Sequence, residues 1–165
     1  MNILSMLSKL KKLGPRTWCG EVDKFGFSVI RELRHITLDS AKERLHELSS
    51  CEMKGLVVPY TVCEEEGRIF VVRPWVEGSP LEPIINAETV CKILELLALA
   101  PSEFVICDLR PEHLIRQGDK IILCDPGFEE RGHSPYCAPE QVNRGEIGPG
   151  VVDYQLGATL YHLLS

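Results

Sequence analysis

Residues 18–33 carry β-branched and aromatic side chains on both sides of Lys24-Phe25-Gly26, a pattern that predicts a β-hairpin. The apolar period then lengthens. Ala41, Leu45 and Leu48 fall on one helical face, and Ser40 and Glu43 stand at capping-box spacing, so a helix is predicted to begin near Ser40. Two more strand-like runs follow, "LVVPYTVC" and "RIFVVRPWV", joined by Glu64-Glu65-Glu66-Gly67 as a second hairpin with a solvated acidic turn. Pro80 and Pro83 mark an irregular connection. In "NAETVCKILELLALA" a helix is predicted with Val90, Ile93, Leu94 and Leu97 on its apolar side and Asn86 or Thr89 as its cap. The stretch "ICDLRPEHLIRQGDKIILCDPGF" sets Asp108 after Phe104-Val105-Ile106-Cys107 and Asp125 after Ile121-Ile122-Leu123-Cys124, two short strands each ending in a carboxylate. Gln117-Gly118-Asp119 supplies the turn between them. The last run, "VVDYQLGATLYHLLS", is a strongly apolar helix with Leu156, Leu160 and Leu163 in line. Strands with one helix first, then mainly helices around a small hairpin, predict an α+β protein of two lobes.

Composition narrows the partners. The chain has 165 residues, 44% of them hydrophobic, and a formal net charge of −6, which argues against a nucleic-acid binder. The one basic cluster is Lys9, Lys11, Lys12 and Arg16. Cysteines stand at 19, 51, 63, 91, 107, 124 and 137, an odd number without a C-x-x-C spacing. They read as reduced thiols filling core positions, which predicts a cytoplasmic protein. In "MNILSMLSKLKKLG", Ile3, Leu7 and Leu10 share a helical face. The run is too short to cross a bilayer, and a short helix packed on its own domain is expected in preference to one resting on a membrane.

The two aspartates and their surroundings resemble a protein kinase. Ile106-Cys107-Asp108-Leu109-Arg110-Pro111-Glu112-His113 occupies the frame of the catalytic loop H-R-D-L-x-x-x-N, Asp125-Pro126-Gly127 that of D-F-G, and Ala138-Pro139-Glu140 is A-P-E itself. "GRIFVVRPWVEGSPLE" is similar to the strand, hinge and linker that hold adenine, and "DYQLGATLYHLLS" to the helix after the activation segment. The resemblance runs from about Leu13 to Ser165. It implies a two-lobed protein kinase-like fold, with a small β-rich first lobe over about residues 13–75 and a shortened helical second lobe over about 76–165. It implies ATP with magnesium or manganese as cofactors. Asp108 becomes the base for a substrate hydroxyl, Arg110 its neighbour in the lysine position, and Asp125 the metal ligand, with His113 in place of the second-ligand asparagine. For the nucleotide the implied residues are Gly14, Gly20, Val22, Arg31, Glu47, Pro74 and Val76.

Departures from the family pattern set the expected activity. Arg31 replaces the phosphate-gripping lysine, and the forked guanidinium is a poor substitute for a point charge. Its helix partner is Glu47, with Glu43 as the other candidate. Arg16 falls near the central glycine of the phosphate loop, Pro126 replaces phenylalanine, and Cys107 replaces arginine. The loop Phe128 to Cys137 offers only Ser134 and Tyr136 as hydroxyls. Each lost electrostatic group removes about 10²–10³ in rate. The expectation is therefore a pseudokinase acting mainly by binding, the alternative being a minimal active kinase. Cys107, His113 and Cys124 match no zinc spacing and are read as core thiols and a loop imidazole. Because the apolar helix closes at Ser165, some of Leu160, Tyr161, Leu163 and Leu164 are expected to lack a cover and leave an apolar patch for a protein partner or self-association.

Overall fold

The computed structural model describes residues 2–102, 104–129, 134–143 and 147–165. The protein is α+β and divides into two units, Met1–Ser50 with Val58–Trp75 and Cys51–Val57 with Val76–Ser165. The segment 51–57, expected within the first unit, belongs to the second.

The first unit is a five-stranded antiparallel sheet with two helices. Helix α1 (Ile3–Leu7) leads into strands β1 (Lys11–Gly14), β2 (Thr17–Val22) and β3 (Gly26–Leu33), then α2 (Leu38–Ser50), β4 (Thr61–Glu65) and β5 (Arg68–Pro74), and the strand order is β1-β2-β3-β5-β4. Both expected hairpins form, and their turn residues explain why. Lys24 and Gly26 hold φ of 79° and 71° between β2 and β3, and Glu66 and Gly67 hold 50° and 71° between β4 and β5. The adjacent pair Glu66-Gly67 matches the strand twist at a tight hairpin, while in the first turn Phe25 separates the two positive-φ residues. "LVVPYTVC" is a strand only from Thr61 onward, because Pro59 lacks an amide for the ladder and Val57 donates to Leu123 O (2.9 Å) in the second unit. Helix α2 starts earlier than predicted: Thr37, not Ser40, caps it, its Oγ1 accepting from Ser40 N at 3.2 Å.

Helix α1 lies on one face of this sheet. Ile3 is fully buried against Val22, Ile30, Phe70 and Val72, with Leu4, Met6, Leu7 and Leu10 packed around it. Its amino end is tied by Glu65, whose Oε2 accepts from Leu4 N at 3.1 Å. One glutamate of the acidic triplet is therefore a tether and not simply a solvated turn. On the same face Arg68 lies 5.1 Å over the Phe70 ring and holds Glu32 through two hydrogen bonds of 3.2 and 2.7 Å. The hydrogen bond from Arg68 is the main cause that keeps the Glu32 carboxyl below its ordinary 4.5, against the opposing effect of burial. A carboxylate depressed in the folded state contributes stability above its unfolded pKa and loses it as pH falls through the folded value. Glu32→Gln is expected to flatten the loss of stability that the parent chain shows from about pH 5 downward, as denaturant titrations over that range would show. An unchanged acid slope would exclude this pair as a contributor.

The second unit holds a small sheet and the remaining helices. Strands β6 (Ser79–Pro80), β7 (Leu114–Gln117) and β8 (Lys120–Leu123) pair antiparallel in that order, and Leu56 bridges Leu123 in parallel. Helices α3 (Ala87–Leu97), α4 (Pro139–Asn143) and α5 (Gly150–Leu164) complete it. The core gathers Ile93, Leu96, Ile106, Leu109, Leu114, Leu123 and Leu163. Asn86 is the cap of α3, accepting from Thr89 N at 2.9 Å. The buried face is Thr89, Ile93 and Leu96, while Leu94 is 45% exposed. That face is turned from the predicted one because the Thr89 hydroxyl, bonded to Asn86 and Arg116, takes an inner position. In α5 the buried stripe is Val151, Gln155, Thr159 and Leu163, with Leu156 and Leu160 partly buried against the same core, so two polar residues lie inside and Leu163, one of the four residues weighed for an open patch, is fully covered.

Candidate functional site

Asp108 and Asp125 meet within the second unit, and the β7–β8 hairpin brings them together. Gly118, at φ 58°, turns the chain so that Leu114 pairs with Leu123, and Cys124 N extends the ladder to His113 O at 2.9 Å. A short 3-10 turn, Pro111–His113, precedes β7, so Asp108 lies just before one strand and Asp125 just after its partner. Phe104–Cys107 is not a strand. Its end is held otherwise: Cys107 N donates to Pro126 O at 2.8 Å, and Cys107 O accepts from the side chains of Gln141 and Gln155. Gly127 closes the contact. At φ 90° it donates its amide to Asp125 Oδ1 (3.1 Å), and a Cβ there would stand 2.9 Å from Asp108 N.

Asp108, His113 and Asp125 are all buried, at 5–7% exposure. The imidazole spans the two carboxylates, with Nδ1 3.7 Å from Asp108 Oδ2 and Nε2 4.0 Å from Asp125 Oδ2. Its ring is hydrogen-bonded on both sides: Nδ1 lies 2.8 Å from Asp108 O, while Arg110 Nε and Nη2 lie 3.1 and 2.9 Å from Nε2. A guanidinium only donates and a carbonyl only accepts, so the ring is the neutral Nδ1–H tautomer with its Nε2 lone pair on Arg110. Arg110 Nε also stands 3.5 Å from Asp108 Oδ1. Nearby, burial pushes the Cys137 thiol up and the charge of Asp108 adds to that effect, so Cys137 is held as the protonated thiol. Tyr136, whose hydroxyl lies 3.1 Å from His162 Nδ1, is likewise raised by burial. Residues 130–133 of the loop in which Ser134 and Tyr136 stand lie outside the described residues.

Among the described residues no three His, Cys, Asp or Glu side chains converge to hold a metal ion. One or two carboxylates do suit magnesium, which keeps its waters and takes phosphate oxygens for the rest. Asp125 offers such hard oxygens, whereas His113 Nε2 is already in use.

The residues expected to hold the nucleotide are spread over both units. Gly14 ends β1, and a tight turn through Pro15 and Arg16 joins it to Thr17 on β2, with Glu32 N bonded to Arg16 O at 2.9 Å. Gly20 lies within β2 opposite Ser28, and a Cβ there would meet Leu10 Cδ2 at 2.7 Å, so it makes room for Leu10, between α1 and β1. Val22 packs under α1 in one cluster with Ile30. Arg31, next to Ile30 on β3, points to the other face. The structure therefore does not bring Val22 to the face of Arg31; Cys19, opposite Val29, shares that face. Glu47 pairs with Arg44 at 2.9 Å, its side chain 59% exposed, and Glu43 is exposed. Pro74 closes β5 in the first unit, its carbonyl accepting from Arg73 Nη1 at 3.2 Å, and Val76 begins the longer stretch of the second.

Sequence reasoning missed Gln141, Gln155 and Thr159, all buried. The available signal was a polar pair at i and i+4 inside the most apolar helix of the chain.

No family profile matches this chain. It is 26% identical over 171 aligned residues to a Caenorhabditis briggsae protein named Serine/threonine-protein kinase dkf-2, an alignment covering 87% of this chain and 14% of that protein. The chain thus spans about one-seventh of the curated relative it matches, and the likeness is to a kinase at the level of sequence. No helix among the described residues is long and apolar enough to cross a membrane.

Proposed function

We propose that this chain is a two-lobed protein kinase-like module that binds a nucleotide with its metal and acts mainly as a pseudokinase. The observation that carries the reading is the meeting of Asp108 and Asp125 across the β7–β8 hairpin, with Gly127 wedged against Asp108. Asp125 would hold a magnesium or manganese ion, which shields the phosphate charges when bound. His113 joins as a second ligand only when Arg110 gives up Nε2, and a nitrogen donor there favours manganese. A role in binding is supported by the phosphate-loop segment, which is a tight Pro15-Arg16 turn in place of a bare glycine cradle. The alternative, a minimal kinase acting on Ser or Thr hydroxyls, draws on Asp108 remaining buried beside Arg110.

The binding role extends to a partner. Tyr161 and Leu164 at the end of α5 are 78% and 56% exposed, and Ile84, whose amide bonds Leu163 O, is 86% exposed at that same end. Such a patch suits a protein partner or a second copy. All seven cysteines are free, which fits a reducing cytoplasm.

The test is a thermal-shift series with ATP alone, with magnesium and with manganese, followed by phosphate transfer on the same sample. A metal-dependent shift without transfer is the expected result. Transfer would establish the minimal kinase, and no shift under any condition would sink the nucleotide reading.

A further inference from the structure

The buried glutamines of α4 and α5 serve no purpose in the apolar core around them, yet every polar atom they carry is used. Gln155, fully buried, accepts from Leu109 N at its Oε1 (2.9 Å) and donates from Nε2 to Cys107 O (2.8 Å) and to Gln141 Oε1 (2.9 Å). Gln141 Oε1 also accepts from Ala138 N (3.0 Å), and its Nε2 gives Cys107 O a second donor (2.9 Å). Thr159 Oγ1 donates to Leu109 O at 3.1 Å. The peptide groups on both sides of Asp108 are thus held by side chains, where a strand would have used backbone.

We propose that Gln155, with Gln141 as its partner, is the positioning residue of Asp108. The inference deepens the kinase-like reading and rests on it only in giving Asp108 a task. A carboxamide is suited to this place because one planar, uncharged group must accept from an amide and donate to two oxygens. Glutamate would turn a carboxylate oxygen toward Cys107 O and Gln141 Oε1, two acceptors, in a site where an unpaired charge is costly. With Cys107 and Leu109 fixed, the Asp108 carboxylate is kept facing Arg110 at 3.5 Å and His113 at 3.7 Å. Because Gln141 belongs to α4, the placement of that helix is transmitted to Asp108 through two amide groups.

The test uses the full chain by NMR, with Gln155→Met as the variant of similar length lacking polar side-chain donors and acceptors. Leu109 amide exchange is expected to quicken about ten- to a hundredfold, the size of one lost buried hydrogen bond, and the Asp108 carboxyl carbon to shift. The Gly127 amide, bonded to Asp125 Oδ1, and the Leu123 amide, bonded to Gly55 O, should keep their rates. Gln141→Met, which leaves Gln155 in place, should give a smaller shift at Asp108 and serves if the first variant does not fold. Unchanged Leu109 protection, or an equal quickening of Leu109, Gly127 and Leu123, would overturn the proposal by making the glutamines inert or merely structural. Neither readout needs a nucleotide, so a chain that fails to bind ATP sinks the kinase-like reading and leaves this result to be judged alone.

Discussion

Gly127→Ala is expected to cost about 2–5 kcal/mol of stability and to unseat Asp108. The backbone at 127 holds φ 90°, where an L side chain pays about 1–2 kcal/mol. The new Cβ would also stand 2.9 Å from Asp108 N, 3.0 Å from Cys107 Cβ and 3.1 Å from Asp108 Cβ. None of these is the end of a flexible side chain, so relief requires moving the Asp108 segment, an overpacking cost of about 1–3 kcal/mol. Gly118→Ala is the control: φ is 58° but nothing lies within 4 Å of its Cβ, so only the conformational cost applies. Denaturant unfolding of the two variants measures the difference. Equal losses would mean that the close approach of 127 to 108 carries no energetic weight.

The second large effect concerns the two carboxylates. Asp125→Asn keeps an acceptor for Gly127 N and removes the charge, so the fold should hold while the metal-dependent part of ATP binding falls at least about tenfold. Asp108→Asn should leave most of that binding intact, since the role given to Asp108 is toward the acceptor hydroxyl and not the metal. Titrations of each variant with ATP and magnesium or manganese decide it. Equal loss from both substitutions would count against the division of roles.

The hairpins were legible because their turns use residues whose backbone preferences are local: Gly67 and Gly26 take positive φ without steric cost. Elements fixed by distant partners were not. Nothing near Leu56 says that its bridge is to Leu123, and Pro59 alone hinted that the strand must begin later. At the site, the motif order marked Asp108 and Asp125, which the hairpin does bring together. The glutamines escaped because a polar residue on an apolar helix reads as solvent-facing until its neighbours are known. Val22 was marked, but not its surroundings: a glycine-x-valine match fixes a strand and not which face α1 covers, and that choice was made by Ile3 and Leu10, far from any motif.

The detour of residues 51–57 has a consequence for the order in which the chain acquires structure. Every strand of the first unit has been synthesised once Pro74 is added, and its neighbours in the sheet are all earlier in the chain. Gly55 O and Val57 N, by contrast, bond to Leu123, which is made much later. Domains form as units during synthesis from the amino end. A nascent chain that has just passed Trp75 therefore holds every strand of the first unit, while the bonding partner of Gly55 and Val57 is still to be made.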